Sequence, residues 1–278
     1  MSKQTTARTK MTVTRQLVRL GILLAGVYAL GLVVATTSLV NLLLYAPPAP
    51  SYVDGEGIFK LTTADGAKIS AMHLLHKTPA DRYTILYSHG NGEDMGEIEP
   101  NLRMFESAGY NVLAYEYRGY GTSEGSPSER ATYADIDAAY DFLIQTGVPP
   151  ERILLLGRSI GGGPAIDVAM RKPVAGLILE GAFTSAFRVA TRWPIFPCDR
   201  YRNIEKLPSV HCPILFIHAR QDRTVPFWHA EKNLQIANPP TQHLWVDNAG
   251  HNDVMFVAGT RYFDALAEFV KRIEKKAT

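Results

Sequence analysis

Cysteine is scarce: the 278 residues hold two, Cys198 and Cys212. They lack the Cys-x-x-Cys or Cys/His spacing of a metal site. The two thiols either pair in an oxidising compartment or stay free. Acidic residues are absent from positions 1–19, which carry Lys3, Arg8, Lys10, Arg15 and Arg19. Removing those five from the 29 basic residues leaves 24 against 27 acidic ones, so the rest of the chain offers no footprint for nucleic acid. Nucleotide loops are missing too. Gly161-Gly162-Gly163 has no Lys-Ser/Thr after it, and no dinucleotide fingerprint occurs. No cofactor and no metal are expected. Neither an internal repeat nor a low-complexity run is present.

Charge is also missing between Arg19 and Asp54. Residues 20–45 are mostly Leu, Val, Ala and Gly, long enough for a helix that crosses a bilayer. The bases before this run place residues 1–19 in the cytoplasm as a basic tail. The remainder is then expected across the membrane, in a periplasmic, extracytoplasmic or lumenal space. A cleavable signal peptide competes with this reading, since Val33-Val34-Ala35 resembles a cleavage site. Its apolar region would normally be shorter, which favours an uncleaved anchor. Residues 46–54, with Pro47, Pro48 and Pro50, read as a stiff linker. Residues 55–278 suffice for one large α/β domain.

Within that domain, 57–63 and 68–75 read as an antiparallel edge hairpin around Ala64-Asp65-Gly66. Strands are expected at 83–88, 111–117, 153–156, 174–179, 213–218 and 244–246. Helices are expected at 98–107, 129–145, from the glycines to Arg171, and at 227–237 and 253–272. This alternation predicts a mostly parallel sheet covered on both faces. Residues 182–210 break it. They are rich in aromatics and proline, and read as a small cap.

The chemistry centres on Leu154-Leu155-Leu156-Gly157-Arg158-Ser159-Ile160-Gly161. An apolar strand ending in Gly-x-Ser-x-Gly before a helix is the pattern of a nucleophile elbow. A serine hydroxyl needs an imidazole to take its proton, and the imidazole needs a carboxylate to fix its tautomer. His251 lies in a glycine turn between the last strand and the last helix. Asp222 follows the 213–218 strand and is the expected acid, with Glu180 as the alternative. The order serine, acid, histidine is one that such a fold uses. The oxyanion donors are expected to be the backbone N–H groups of Ile160 and of Asn91, in His89-Gly90-Asn91-Gly92. His73, His76, His211, His229 and His243 read as surface or core residues. Arg158 reads as structural or solvated, unless it contacts an acidic substrate. Asp135, Asp137 and Asp141 read as solvated helix positions.

These stretches resemble the α/β-hydrolase superfamily. More narrowly, they resemble its membrane-anchored α/β-hydrolase-domain proteins, near the serine aminopeptidase-like and depalmitoylase-like branches. The match rests on His-Gly-Asn at 89–91, Tyr-Arg-Gly-Tyr-Gly at 117–121, Gly-Arg-Ser-Ile-Gly at 157–161, Asp222 with Val225-Pro226, and Gly-His-Asn-Asp at 250–253. It spans roughly residues 55–275 in order. The resemblance implies an α/β-hydrolase fold with Ser159 as nucleophile, Asp222 as acid and His251 as base. Ala219 and Arg158 depart from what the family often has at those positions. The expected activity is hydrolysis of an ester or thioester of a small or lipid-like acyl substrate. A serine peptidase and a non-catalytic membrane-tethered binding module are the alternatives. Oligomeric state is left open.

Overall fold

The structure, a computed structural model, describes residues 2–55, 57–78, 82–193, 199–238 and 240–277; the side chains of 2–14, 32–39, 276 and 277 lie outside that description. The chain divides into two compact units, Met1–Leu44 and Tyr45–Thr278. The first is one helix, α1 (Ser2–Leu44). Leu17, Ile22, Leu23, Leu24, Val27 and Leu30 stand exposed along it. Among the described residues no helix is long and apolar enough to cross a membrane. Residues 32–39, inside the charge-free run, are not among the described side chains.

The second unit holds an eight-stranded sheet in the order β1-β2-β4-β3-β5-β6-β7-β8. Its strands are β1 (Ile58–Thr62), β2 (Lys68–Leu74), β3 (Thr84–Ser88), β4 (Asn111–Tyr115), β5 (Ile153–Arg158), β6 (Gly176–Glu180), β7 (Ile214–Ala219) and β8 (Thr241–Val246). β1 pairs antiparallel with β2, and β2 antiparallel with β4; every other pairing is parallel. Helices fill the connections: α2 (Met95–Ser107), α3 (Glu129–Gln145), α4 (Gly162–Arg171), α5 (Asn203–Lys206), α6 (Trp228–Ile236), α7 (Val254–Ala258) and α8 (Thr260–Ala277). Parallel strands need such crossovers, and their cover explains why β3 to β6 read as nearly continuous apolar runs.

Strand side chains alternate between faces. Ile85, Tyr87, Leu154, Leu156 and Ile178 join one apolar cluster with Ile98, Leu102 and Phe105 of α2 and Tyr262, Leu266 and Phe269 of α8. The intervening Leu86, Leu155 and Leu177 are equally buried. Both faces of the central strands are therefore covered. Helix starts follow local chemistry. Asp94 caps α2 by accepting from the Glu97 N–H at 3.0 Å, and Ser128 caps α3 by accepting from the Ala131 N–H at 3.1 Å.

Three expectations need adjusting. The stretch read as a stiff linker is docked on the domain. The Ala46 N–H donates to Asn91 Oδ1 at 3.0 Å, and the Ser51 N–H donates to Asp94 Oδ2 at 2.6 Å. The last helix is two helices, because Gly259 at φ +57° ends α7 before α8 begins. Asp135 is fully buried on Arg118 rather than solvated. In the stretch read as a cap, residues 194–198 (with Cys198) lie outside the described residues. The remainder is anchored by buried Phe183, Thr184, Tyr201, Asn203 and Leu207. Cys212 carries a free thiol, and burial raises its pKa to about 12.

Candidate active site

In sheet order β3 lies between β4 and β5. The chain therefore leaves β3 towards one side and later returns on the other. Crevices form at the C-terminal ends of strands where order reverses in this way. The loop after β3 carries His89-Gly90-Asn91, and β5 ends at Arg158, one residue before Ser159.

Ser159 has φ +53°, a left-handed conformation that non-glycine residues seldom adopt. Its neighbours explain how the strain is accommodated. A Cβ on Gly157 would sit 2.5 Å from the Gly161 carbonyl oxygen, and one on Gly161 would sit 2.2 Å from that of Ser88. Only glycine lets the two arms of this turn pass so closely. The strain is held by packing on both sides. Ile160 follows in the tight turn that leads into α4, whose N-terminal end carries positive partial charge.

The structure brings Ser159, His251 and Asp222 together from distant parts of the chain. His251 Nε2 lies 2.9 Å from Ser159 Oγ, and His251 Nδ1 lies 2.7 Å from Asp222 Oδ2. With the Nδ1 proton on the carboxylate side, Nε2 is left to accept from the serine hydroxyl. Asp222 is itself fixed, because its Oδ1 accepts from the N–H groups of Thr224 (2.8 Å) and Val225 (2.7 Å). Burial pushes the Asp222 carboxyl pKa up. The hydrogen bond and charge of His251, together with the Val225 amide, outweigh that and leave it below the ordinary range. His218 sits beneath, its Nε2 2.8 Å from the Val225 carbonyl and 3.5 Å from Asp222 Oδ2.

Glu180, the alternative acid, is not on the imidazole. Its Oε2 accepts from the Tyr262 hydroxyl at 2.6 Å, and its Oε1 lies 3.3 Å from Arg158 Nε. Parallel register sets Glu180 opposite Arg158, so the arginine captures it. Asn91 lies on the loop after β3, with its side-chain oxygen accepting from the Ala46 N–H and, at 2.6 Å, from the Tyr120 hydroxyl. Its side chain therefore pins the loop that carries its backbone N–H. His89 is fully buried beside Glu116, 3.2 Å away. Burial opposes its charge, but Glu116 outweighs burial and raises its pKa.

Residues 79–198 match the family model described as serine aminopeptidase, S33. The Caenorhabditis elegans α/β-hydrolase domain-containing protein aho-3 is 35% identical over 264 residues, covering 84% of this chain and 78% of that protein. The chain belongs to the α/β-hydrolase superfamily. The Homo sapiens α/β-hydrolase domain-containing protein 17B is 35% identical over 218 residues, covering 77% of this chain and 75% of that protein. Among solved structures, the Pyrococcus furiosus esterase Pf2001 aligns with TM-score 0.67 at 19% identity, over 82% of this chain and 98% of that one. The esterase RhEst1 from Rhodococcus sp. ECU1013 aligns with TM-score 0.62 at 19% identity, over 78% and 99%. At those identities the structural likeness establishes the fold.

Sequence reasoning about this α/β-hydrolase missed three site neighbours: Glu93, Asn252 and Tyr262. Each is tied directly or through Glu180 to Arg158. An acid three residues after Gly90 was the one visible signal for Glu93. Nothing local marks the other two.

Proposed function

We propose that the chain is a serine hydrolase that cleaves a carboxylic ester or thioester through an acyl-enzyme on Ser159. One observation carries this reading: His251 bridges Ser159 Oγ and Asp222 Oδ2 at 2.9 and 2.7 Å. Ser159 Oγ attacks the acyl carbonyl while His251 Nε2 takes its proton. The Ile160 and Asn91 N–H groups hold the oxyanion. As the tetrahedral intermediate collapses, His251 returns the proton to the leaving alcohol or thiol. A water molecule then attacks the acyl-enzyme, giving its proton to His251, and the acid product departs as Ser159 is regenerated. Asp222 holds the imidazole tautomer throughout and stabilises its charged form. This chemistry needs no cofactor.

The substrate side is a small or lipid-like acyl group. Membrane attachment through residues 20–45 is part of the proposal. It is supported by five bases followed by a charge-free run and by the exposed leucines of α1. The tail then lies in the cytoplasm and the hydrolase domain across the membrane, which protease protection of sealed vesicles tests.

The activity test uses the full chain with p-nitrophenyl esters of increasing acyl length and an aminoacyl p-nitroanilide. Hydrolysis of the esters, lost by about a thousandfold or more in Ser159→Ala, is the expected result. Ester rates unchanged in Ser159→Ala would overturn the mechanism. Preferred cleavage of the anilide would move the reading to a peptidase. Folded wild type inert on every substrate would move it to a binding module.

A further inference from the structure

We infer that Arg158 is a positioning residue for the reaction proposed above: it bolts the loop carrying Asn91 to the loop carrying His251. The inference rests on the serine-hydrolase reading. Arg158 is the last residue of β5, and its side chain is 12% exposed. All three of its guanidinium nitrogens are engaged. Nη1 lies 2.6 Å from both carboxylate oxygens of Glu93. Nε lies 3.3 Å from Glu180 Oε1. Nη2 donates to Asn252 Oδ1 at 2.8 Å and to the His251 carbonyl at 3.3 Å. Glu93 in turn accepts from the Gly90 N–H through Oε1. One planar cation therefore joins the backbone of His89-Gly90-Asn91 to the backbone of His251.

Gly90 shows how tightly this junction is built. A Cβ there would stand 2.6 Å from Glu93 Oε1 and 2.7 Å from Arg158 Nη1. The space a side chain would need is taken by the ion pair. His251 is thus fixed at two points, its ring by Asp222 and its backbone by Arg158. The imidazole stands between a rigid strained serine and a loop outside the sheet, so its placement depends on what holds that loop. Burial opposes the arginine's charge, and Glu93 and Glu180 outweigh it, keeping the cation charged at all working pH values. With its nitrogens spent on protein acceptors, Arg158 is not a receptor for an acidic substrate. A lysine has no fork and cannot serve these loops together.

The test compares Asn252→Ala, Asn252→Asp, Arg158→Lys and Arg158→Met in the full chain. Asn252 is exposed, so its substitution leaves the core alone. Asn252→Ala is expected to lower kcat about tenfold with KM unchanged within twofold, because loop placement affects the transition state more than binding. Asn252→Asp keeps an acceptor for Nη2 and is expected to restore kcat. Arg158→Lys and Arg158→Met are expected to lose about a hundredfold in kcat. Adding Asn252→Ala to Arg158→Met is expected to cost nothing more, since both break one junction. Full kcat in Asn252→Ala and Arg158→Lys, or equal loss in Asn252→Ala and Asn252→Asp, would overturn the inference. If the Arg158 variants do not fold, the Asn252 pair decides alone. Activity surviving in Ser159→Ala would instead mark failure of the underlying reading.

Discussion

Two arginines, Arg118 and Arg158, are built almost alike. Their side chains are 11% and 12% exposed, and each is locked onto two carboxylates. Arg118 Nε donates to Asp135 Oδ1 at 2.8 Å. Its two terminal nitrogens meet Asp65 at 2.7 and 3.0 Å. Those partners sit in the β1–β2 turn and on α3. The partners of Arg158 sit on the loop after β3, the end of β6 and the loop before α7. Burial and ion pairing therefore do not distinguish a positioning arginine from a stabilising one. The elements that the partners hang from do.

The largest expected effect is on stability, and kcat is what separates the two. Arg118→Met strands the fully buried Asp135, and breaking such a pair costs about 3 kcal/mol. For a chain of this size that lowers Tm by about 8 °C. Its kcat is expected to stay within twofold of wild type. Thermal unfolding and ester kinetics on one preparation check both numbers, and a matching kcat loss would erase the contrast.

Arg158→Met also takes the cation from buried Glu180 and so lowers Tm, but unlike Arg118→Met it loses kcat as well. Its loss of about a hundredfold in kcat corresponds to about 2.7 kcal/mol of transition-state stabilisation. Steady-state kinetics set against the Arg118 variant sharpen the comparison, provided circular dichroism shows both folded. Gly90→Ala is gentler. The atoms nearest the added methyl are the movable ends of Glu93 and Arg158, so the fold can yield by opening the pair. About a tenfold fall in kcat is expected, with Tm nearly unchanged. A large Tm fall with full kcat would show that the pair serves packing alone.

The smallest effect is in pH. His229 is fully buried, and its Nδ1 accepts from the Thr184 N–H at 3.1 Å. Burial lowers its pKa to about 3, and His73 and His218 are lowered by the same cause. A depressed folded-state pKa gives stability that is present above the unfolded value. It is lost as pH falls from about 6.5 towards 3. Tm is expected to decline as pH drops from 7 to 5, with a shallower slope in His229→Gln. Arg118 and Arg158 themselves stay charged over that range. A parallel slope in the variant would place the acid sensitivity elsewhere.

Much of this was legible because local rules and global fold agree. The Leu154-Leu155-Leu156 run before Gly-x-Ser-x-Gly announced both a buried strand and the turn that strains Ser159. α3 has the bounds its apolar spacing implied, since Ser128 starts it with a side-chain cap. β8 was underestimated. Thr241, Gln242 and His243 are polar and lie on an edge strand, where pairing proceeds without an apolar pattern. The docked segment at 46–52 was hidden for a similar reason: its hold on Asn91 and Asp94 is polar and tertiary. The Arg158 junction left the faintest trace. Glu93 and Asn252 are 65 and 94 residues away, and contacts between loops so far apart carry no periodicity.

The proposed chemistry requires an activated serine at 159. The most direct test treats the full chain with a fluorophosphonate, then measures intact mass and maps the labelled peptide. One adduct is expected, on Ser159, absent in Ser159→Ala and formed far more slowly in His251→Ala. A folded wild-type protein that takes no label, or a Ser159→Ala variant labelled as fast as wild type, would contradict it.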